Sequence, residues 1–487
     1  MYELMKSAKI LTAALSGCLA LSIAWAPAAS AADAAASTEA VQSSKTDIIN
    51  EIMEYLEYYN VEGIDQDTLI RGAIDGMVST LDDPYSQYFD QAEAADFGHA
   101  VDLEYVGIGV RLVYTPKELY IEEVMSGSPA EKAGLKRGDI ILKINGVRVD
   151  DTAGDELAGA SGTKVSLLIQ RNGVSKSYSV TRSEITTTSV TSTIIGSKVA
   201  YIAINGFTQT ADEEFSTALD KMRAAGMKSL VLDLRDNTGG YMDSAQNIAA
   251  KFMDAGIMMY TSDQSGVLTP VTITNGSKIG VPVVVLTNEY TASASEALTG
   301  ALRDNKLATI VGTRSYGKAR IQSLIPMSDG GELKLTTMKY LTPSKEDFNH
   351  IGLAPDIEIK GKTAQLITAL QIAGLTGITA SGDNHILDIN GAAFAGNVGL
   401  IKQGDKVYAS SRVLSALVES EVTWDTKNKK VLITTGAGKS SGFTLAAKEA
   451  LYQDGETFIE LGAFKKKFPL LTWSYNAAQN QLKLSVK

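Results

Sequence analysis

The chain has 487 residues, 44% of them hydrophobic and 21% charged, with a formal net charge of −11. Its length predicts two to four folded domains, and its composition excludes a disordered chain. The acidity argues against nucleic acid and anionic membrane surfaces as partners. One cysteine and three scattered histidines argue against disulfides, thiol catalysis and Cys/His metal sites.

Lys6 and Lys9 precede an apolar stretch from Ile10 to Trp25, and Ala29-Ser30-Ala31 supplies small residues for cleavage. Residues 1–31 therefore read as an export signal, which predicts an extracellular or cell-envelope protein. Two other readings stay open: a retained membrane anchor, and a lipoprotein start at Cys18 in Leu15-Ser16-Gly17-Cys18. Residues 32–44 are Ala/Ser/Thr-rich and read as a linker.

Residues 45–92 form a helical segment. Ile49, Ile52, Met53 and Leu56 share one face of a helix over 46–59, and Leu69, Ile70, Ala73, Met77 and Leu81 share one over 66–81. Residues 93–183 change to short strands with glycine turns: 106–110, 120–124, 139–144 and 164–171, with a short helix at 129–133. Over 184–375, strands and helices alternate. Thr210 to Glu213 reads as a capping box, and Leu230–Leu234 and Pro282–Thr287 as strands buried on both faces. A helix over 294–304 and a strand at 309–311 follow. After a Gly/Thr/Ser-rich boundary, residues 380–487 read as a small α+β module with strands near 422–425 and 430–434 and a helix near 444–452. A chain ending near Thr379 is expected to fold and work without it.

The richest segment for chemistry is Tyr290-Thr291-Ala292-Ser293-Ala294-Ser295-Glu296, where a buried strand gives way to a helix. A serine there sits near the positive end of a helix, beside N–H groups able to bind an oxyanion; a plain N-cap serine is the alternative. Gly317-Lys318 follows the next strand. A lysine entering a buried site loses its proton more readily, because desolvation disfavours the ammonium, and could then act as a general base. A glycine pair, Gly239-Gly240, follows the strand ending at Leu234 and leaves backbone N–H groups unobstructed.

Together, Asp233 to Gly240, Thr291 to Glu296, and Lys318 with Gln322 resemble the motifs of the carboxyl-terminal processing peptidases, also called tail-specific proteases, in that family's order. The likeness covers residues 45–360. It implies a crotonase/ClpP-like α/β peptidase core, with Ser293 as nucleophile, Lys318 as base and Gln322 orienting the lysine. Ala294 and Gly239 or Gly240 would supply the oxyanion hole, and Asp304 would be structural. No metal or cofactor is required, and activity should rise with pH without a histidine step. Two departures stand out: Thr291 replaces the family's first serine, and Ala319-Arg320 replaces a smaller pair, which bears on substrate preference.

Residues 97–182 resemble a PDZ domain. Val106-Gly107-Ile108-Gly109-Val110 matches its carboxylate-binding loop, and 128–139 and 144–146 match its helix and turn. The likeness implies protein or peptide substrates recognised by free C-termini, whose tails add beside a strand edge. Related proteins pair through N-terminal helices, implying a homodimer through 46–81. Residues 422–433 resemble the stalk-like domain found at the N-terminus of some copper amine oxidases, which implies spacing or cell-wall contact and no catalysis. The fold class is thus multidomain α/β, with an inserted-type PDZ domain, N-terminal helices and a small C-terminal module. The competing function is a catalytically inactive PDZ adaptor. Two further motif matches, Ser161 to Lys164 and Gly438 to Gly442, lack catalytic partners.

Overall fold

The computed structural model describes residues 35–149, 155–196 and 198–486, with side chains from residue 46 onward. The expected export signal lies outside the described residues. The chain divides into two compact units. One comprises Met1–Gly98, Ser262–Val267 and Arg320–Lys339, and the other comprises the remainder.

In the first unit, a helix spans Ala35–Tyr59 and so begins well before residue 46, because the alanine-rich stretch ahead of it favours helix. A second helix, Gln66–Ser79, starts at Asp65, whose carboxylate accepts the N–H of Thr68 at 2.8 Å. Ile48, Ile49, Ile52, Tyr55 and Leu56 remain exposed along the first helix. The strand Gln87–Phe89 pairs antiparallel with residues 332–334, which also form a hairpin with residues 320–326. Lys334 is buried with its ammonium over the rings of Phe89 and Phe97, at 5.1 and 4.8 Å.

The second unit contains the PDZ-like module. Its strands follow the order 110–114, 119–124, 140–144, 164–171, 174–181, so Val110–Tyr114 is an edge strand. Ile108, Leu119, Ile121, Leu167 and Val180 fill its core. Glu104–Gly107 pairs with Ser183–Thr186 and brings the two ends of the module together.

The central sheet has six strands in chain order: β1 (Val190–Ile195), β2 (Val199–Ile204), β3 (Ser229–Asp233), β4 (Val283–Thr287), β5 (Thr309–Gly312) and β6 (Ile357–Glu358). β1 is antiparallel to β2, and the other pairs are parallel. Every residue of β3 and β4 is buried, as their continuous apolar runs predict. Helices α1 (Ala211–Ala224), α2 (Met242–Ala249) and α3 (Ala294–Asp304) pack side by side, while α4 (Lys362–Ile372) packs on β4 and β5. The capping box expected at Thr210 does not form. The Thr210 hydroxyl instead meets Glu214, whose other oxygen accepts the N–H of Val190 and so ties α1 to β1.

Residues 380–487 are not separately cored. Val231, Val284, Leu286 and Val311 of the sheet, Leu366, Ile367 and Leu370 of α4, and Leu414, Ile433, Phe464 and Leu484 beyond it form one continuous apolar cluster. α4 gives Ala364, Leu366, Ile367, Ala369 and Leu370 to that cluster, so the expectation of a dispensable C-terminal module gives way to a core shared with the sheet. The helix expected near 444–452 is also absent. Only a short turn separates the strands Ser440–Thr444 and Ala450–Gln453, the latter pairing with Glu456–Glu460.

Candidate active site

Parallel strands point their carboxyl ends to one edge of the sheet, where open α/β sheets carry their sites. The Gly239-Gly240 loop follows β3, the segment to Ser293 follows β4, and the Lys318 segment follows β5. Topology alone therefore gathers three segments far apart in the chain.

Ser293 is the residue before α3 and adopts φ 57° and ψ −117°. This is a costly conformation for a residue with a side chain, and it persists only where its surroundings enforce it. The enforcement is visible. The Ser293 N–H donates to Glu296 Oε2 at 2.9 Å, and the same oxygen accepts the N–H of Lys318 at 2.8 Å. Glu296 Oε1 accepts the N–H of Gly317 at 2.7 Å and the hydroxyl of Ser315 at 2.5 Å. Glu296 is fully buried, and burial pushes its carboxyl above the ordinary glutamate range against the pull of these four donors. The Tyr340 hydroxyl lies 2.8 Å from the carbonyl oxygen of Ser293 and 2.7 Å from that of Lys318, within donating reach of both. Ser293 and Lys318 are each 3% exposed.

The glycine loop is stitched to the serine segment through Asn237, which is also fully buried. Its amide donates to Ile204 O at 2.8 Å and accepts the N–H of Gly239 at 2.8 Å. Its carbonyl accepts the N–H of Ala292 and the hydroxyl of Ser295, both at 3.0 Å. The two serines thereby part company: the hydroxyl of Ser295 is committed to a backbone carbonyl, and Ser293 stands at the strained junction. Because the N–H of Gly239 is held by Asn237, Gly240 is the glycine of the pair whose N–H no acceptor among the described residues takes. Gly240 approaches the backbone of Phe207 so closely that a Cβ would lie 2.1 Å from its carbonyl oxygen. The N–H of Ala294 begins α3 and is likewise untaken.

Gln322 belongs to the other compact unit. It is buried, donates from Nε2 to Thr336 Oγ1 at 3.0 Å, and its Oε1 meets no donor among the described residues. In the PDZ-like loop, Ile108 O accepts the N–H of Ala130 and Gly109 O that of Met125. Val106 and Gly107 end one strand, and Val110 begins the edge strand. The N–H groups of Ile108 and Gly109 engage no acceptor among the described residues. Asp304 accepts Ser344 N–H and hydroxyl and pairs with Arg303, a structural role.

Glu296, Asn237 and Tyr340 were given no role by the sequence. The first two lie inside the motifs, but which backbone groups they hold is set by residues distant in the chain. Tyr340 carries no signal of its own.

The fold and these segments define an α/β serine peptidase joined to a PDZ domain. Residues 198–359 match the profile of Peptidase family S41, residues 120–171 that of a PDZ domain, and residues 16–93 that of the activating protease CtpB N-terminal domain. The chain is 35% identical to the carboxy-terminal processing protease CtpB of Bacillus subtilis, over 69% of this chain and 72% of that one. It is 34% identical to CtpA of the same organism, over 65% and 69%. The solved photosystem II D1 C-terminal processing protease is 28% identical over 65% of this chain and 89% of that one, with a TM-score of 0.45. The chain belongs to the carboxy-terminal processing proteases of Peptidase family S41, and it is a serine-type peptidase.

Proposed function

We propose that this protein is an exported endopeptidase that cuts protein substrates delivered by their C-termini, using Ser293 as nucleophile and Lys318 as general base. The observation that carries the reading is the shared carboxylate oxygen of Glu296, which holds the backbones of both residues beside the strained Ser293. Ser293 Oγ attacks the scissile carbonyl while Lys318 takes its proton, and the family likeness gives Gln322 the part of orienting the lysine. The N–H groups of Ala294 and Gly240 receive the developing oxyanion at the positive end of α3. The acyl-enzyme then yields to water.

The PDZ module supplies the delivery. A substrate carboxylate is taken by the untaken N–H groups of Ile108 and Gly109, and the tail adds to the free edge of Val110–Tyr114. The exposed apolar residues of the first helix suit pairing of two chains, so the working form is a homodimer.

Intact-mass analysis after an active-site serine probe tests the chemistry. Wild type and Ser295→Ala should gain one adduct, and Ser293→Ala none. An adduct that survives in Ser293→Ala and is lost in Ser295→Ala would overturn the assignment.

A further inference from the structure

The hairpin that follows the candidate base carries two cations side by side. Its strands, Arg320–Pro326 and Glu332–Leu341, pair antiparallel, and Arg320 stands directly opposite Lys339. The Cβ atoms of facing residues lie about 4.5–5.5 Å apart, and like charges at that spacing repel and weaken the pairing. The chain as a whole carries a net charge of −11, so the juxtaposition is no by-product of a basic surface. Arg320 is half-buried and Lys339 is exposed, and no carboxylate among the described residues forms an ion pair with Lys339. Ala319-Arg320 is also the place where the chain departs from the family's smaller pair. A carboxylate set against both cations would turn their repulsion into attraction.

Chain continuity puts the pair beside the reacting groups. Tyr340, the residue after Lys339, donates its N–H to the carbonyl of Ala319, the residue before Arg320. The hydroxyl of the same tyrosine lies 2.8 Å from the carbonyl oxygen of Ser293 and 2.7 Å from that of Lys318. Two peptide units span at most ~7.6 Å, so the Cα of Arg320 stands no further than that from the Cα of Lys318. Arg320 and Gln322 are two residues apart on one strand and share a face, while Ile321 turns to the other and is buried. Gln322 is the residue given the part of orienting Lys318, so the two cations extend the face on which that part is played.

The chemistry then fixes which side of the substrate they meet. A base that takes the serine proton gives it up to the leaving amine, and so lies on the leaving-group side of the scissile bond. With Lys318 as that base, the face leading on from it runs along the residues C-terminal to the cut. An extended chain advances about 3.3 Å per residue, so a reach of ~7.6 Å covers the first two or three of them.

We propose that Arg320 and Lys339 form a subsite for a carboxylate side chain of the substrate, so that the protein prefers Asp or Glu within the first three residues after the cleaved bond. The proposal deepens the peptidase reading above and rests on it.

Paired peptides test it. Each pair shares one sequence, with the cut mapped by mass spectrometry and placed well inside the peptide. Its two members differ only in Asp against Asn, or Glu against Gln, at the first, second or third position after the cut. In wild type, kcat/KM for the acidic member should exceed that for the amide by roughly 3- to 10-fold at one of these positions. The ratio should fall toward one in 1 M salt, where the Debye length is about 3 Å. Because the ratio is taken within each protein, a general loss of activity cancels. Arg320→Gln combined with Lys339→Gln should bring it to about one. Should that chain not fold, Lys339→Gln alone, at an exposed position, should lower it at least ~2-fold. Equal cutting of both members by wild type, a ratio unmoved by salt, or a ratio kept in the substituted chain would each overturn the proposal. A wild type that neither cuts nor takes a serine probe would sink the peptidase reading and the subsite with it, whereas one that labels and cuts without preference would sink the subsite alone.

Discussion

Ser293 and Lys318 are fastened to the same atom: each donates its backbone N–H to Oε2 of Glu296, at 2.9 and 2.8 Å. One carboxylate therefore sets the position of both backbones, and its other oxygen braces the residues just before the lysine.

Glu296→Gln tests that coupling. The amide keeps one acceptor oxygen and turns an NH2 group toward donors that need an acceptor. Leaving buried N–H groups unmet should cost about 1–3 kcal/mol of stability. On the roles proposed for Ser293 and Lys318, misplacing one against the other should lower kcat by up to ~100-fold with little change in KM. Thermal unfolding together with steady-state kinetics checks both, and a variant with unchanged kcat would remove Glu296 from the positioning of the site.

Ser295→Ala should behave differently from Ser293→Ala. It deletes the donor to Asn237 O but leaves that carbonyl the N–H of Ala292. The expected cost is about 1 kcal/mol of stability with acylation retained. Urea unfolding of the two variants side by side, with probe labelling, reads this out.

A chain ending at Thr379 should fail to fold. Leu366, Ile367 and Leu370 of α4 lie inside the cluster that continues into Leu414, Phe464 and Leu484. Removing the C-terminal half of that cluster would expose an apolar face to water. Solubility and the cooperativity of unfolding report it, and a soluble, active truncation would show that α4 can do without its cover.

Acid should release the contact between Asp236 and Lys362. Burial pushes the Asp236 carboxyl up, but Lys362 at 2.7 Å and the Asn288 amide outweigh it and hold it below the usual aspartate range. A lowered folded-state pKa contributes stability above the unfolded value of ~3.9, which is lost as pH falls through the folded one. Both side chains are over 40% exposed, so solvent screening limits the gain to ~1 kcal/mol or less. Lys362→Met should be less stable than wild type at neutral pH, and the two should converge at a pH well below the unfolded aspartate value of ~3.9. Urea titrations at both pH values check the sign.

Under the proposed delivery by the PDZ module, peptides with amidated C-termini should be cut more slowly than the free acids, because an amide lacks a carboxylate's negative charge and second acceptor oxygen. Equal rates would take the loop at Gly107–Gly109 out of substrate selection.

Much of this protein is local, and the local part is legible in the chain. The buried strands at Leu230–Leu234 and Pro282–Thr287 announce themselves by unbroken apolar runs, and the α/β alternation between 186 and 360 follows from period alone. The motifs around Ser293, Lys318 and Gly239-Gly240 are contiguous stretches, so their chemistry can be read before any contact is known. What the sequence could not decide is every arrangement that depends on partners far along the chain. The Ala/Leu-rich stretch at 444–452 has helical composition, yet cross-strand pairing with Glu456–Glu460 makes it a turn and a strand. That Asn237 takes the N–H of Gly239, while no acceptor among the described residues takes that of Gly240, depends on where its side chain sits in the fold. The dependence of α4 on the last hundred residues exists only because two segments that look self-contained share one apolar core, and burial is a property of the folded whole.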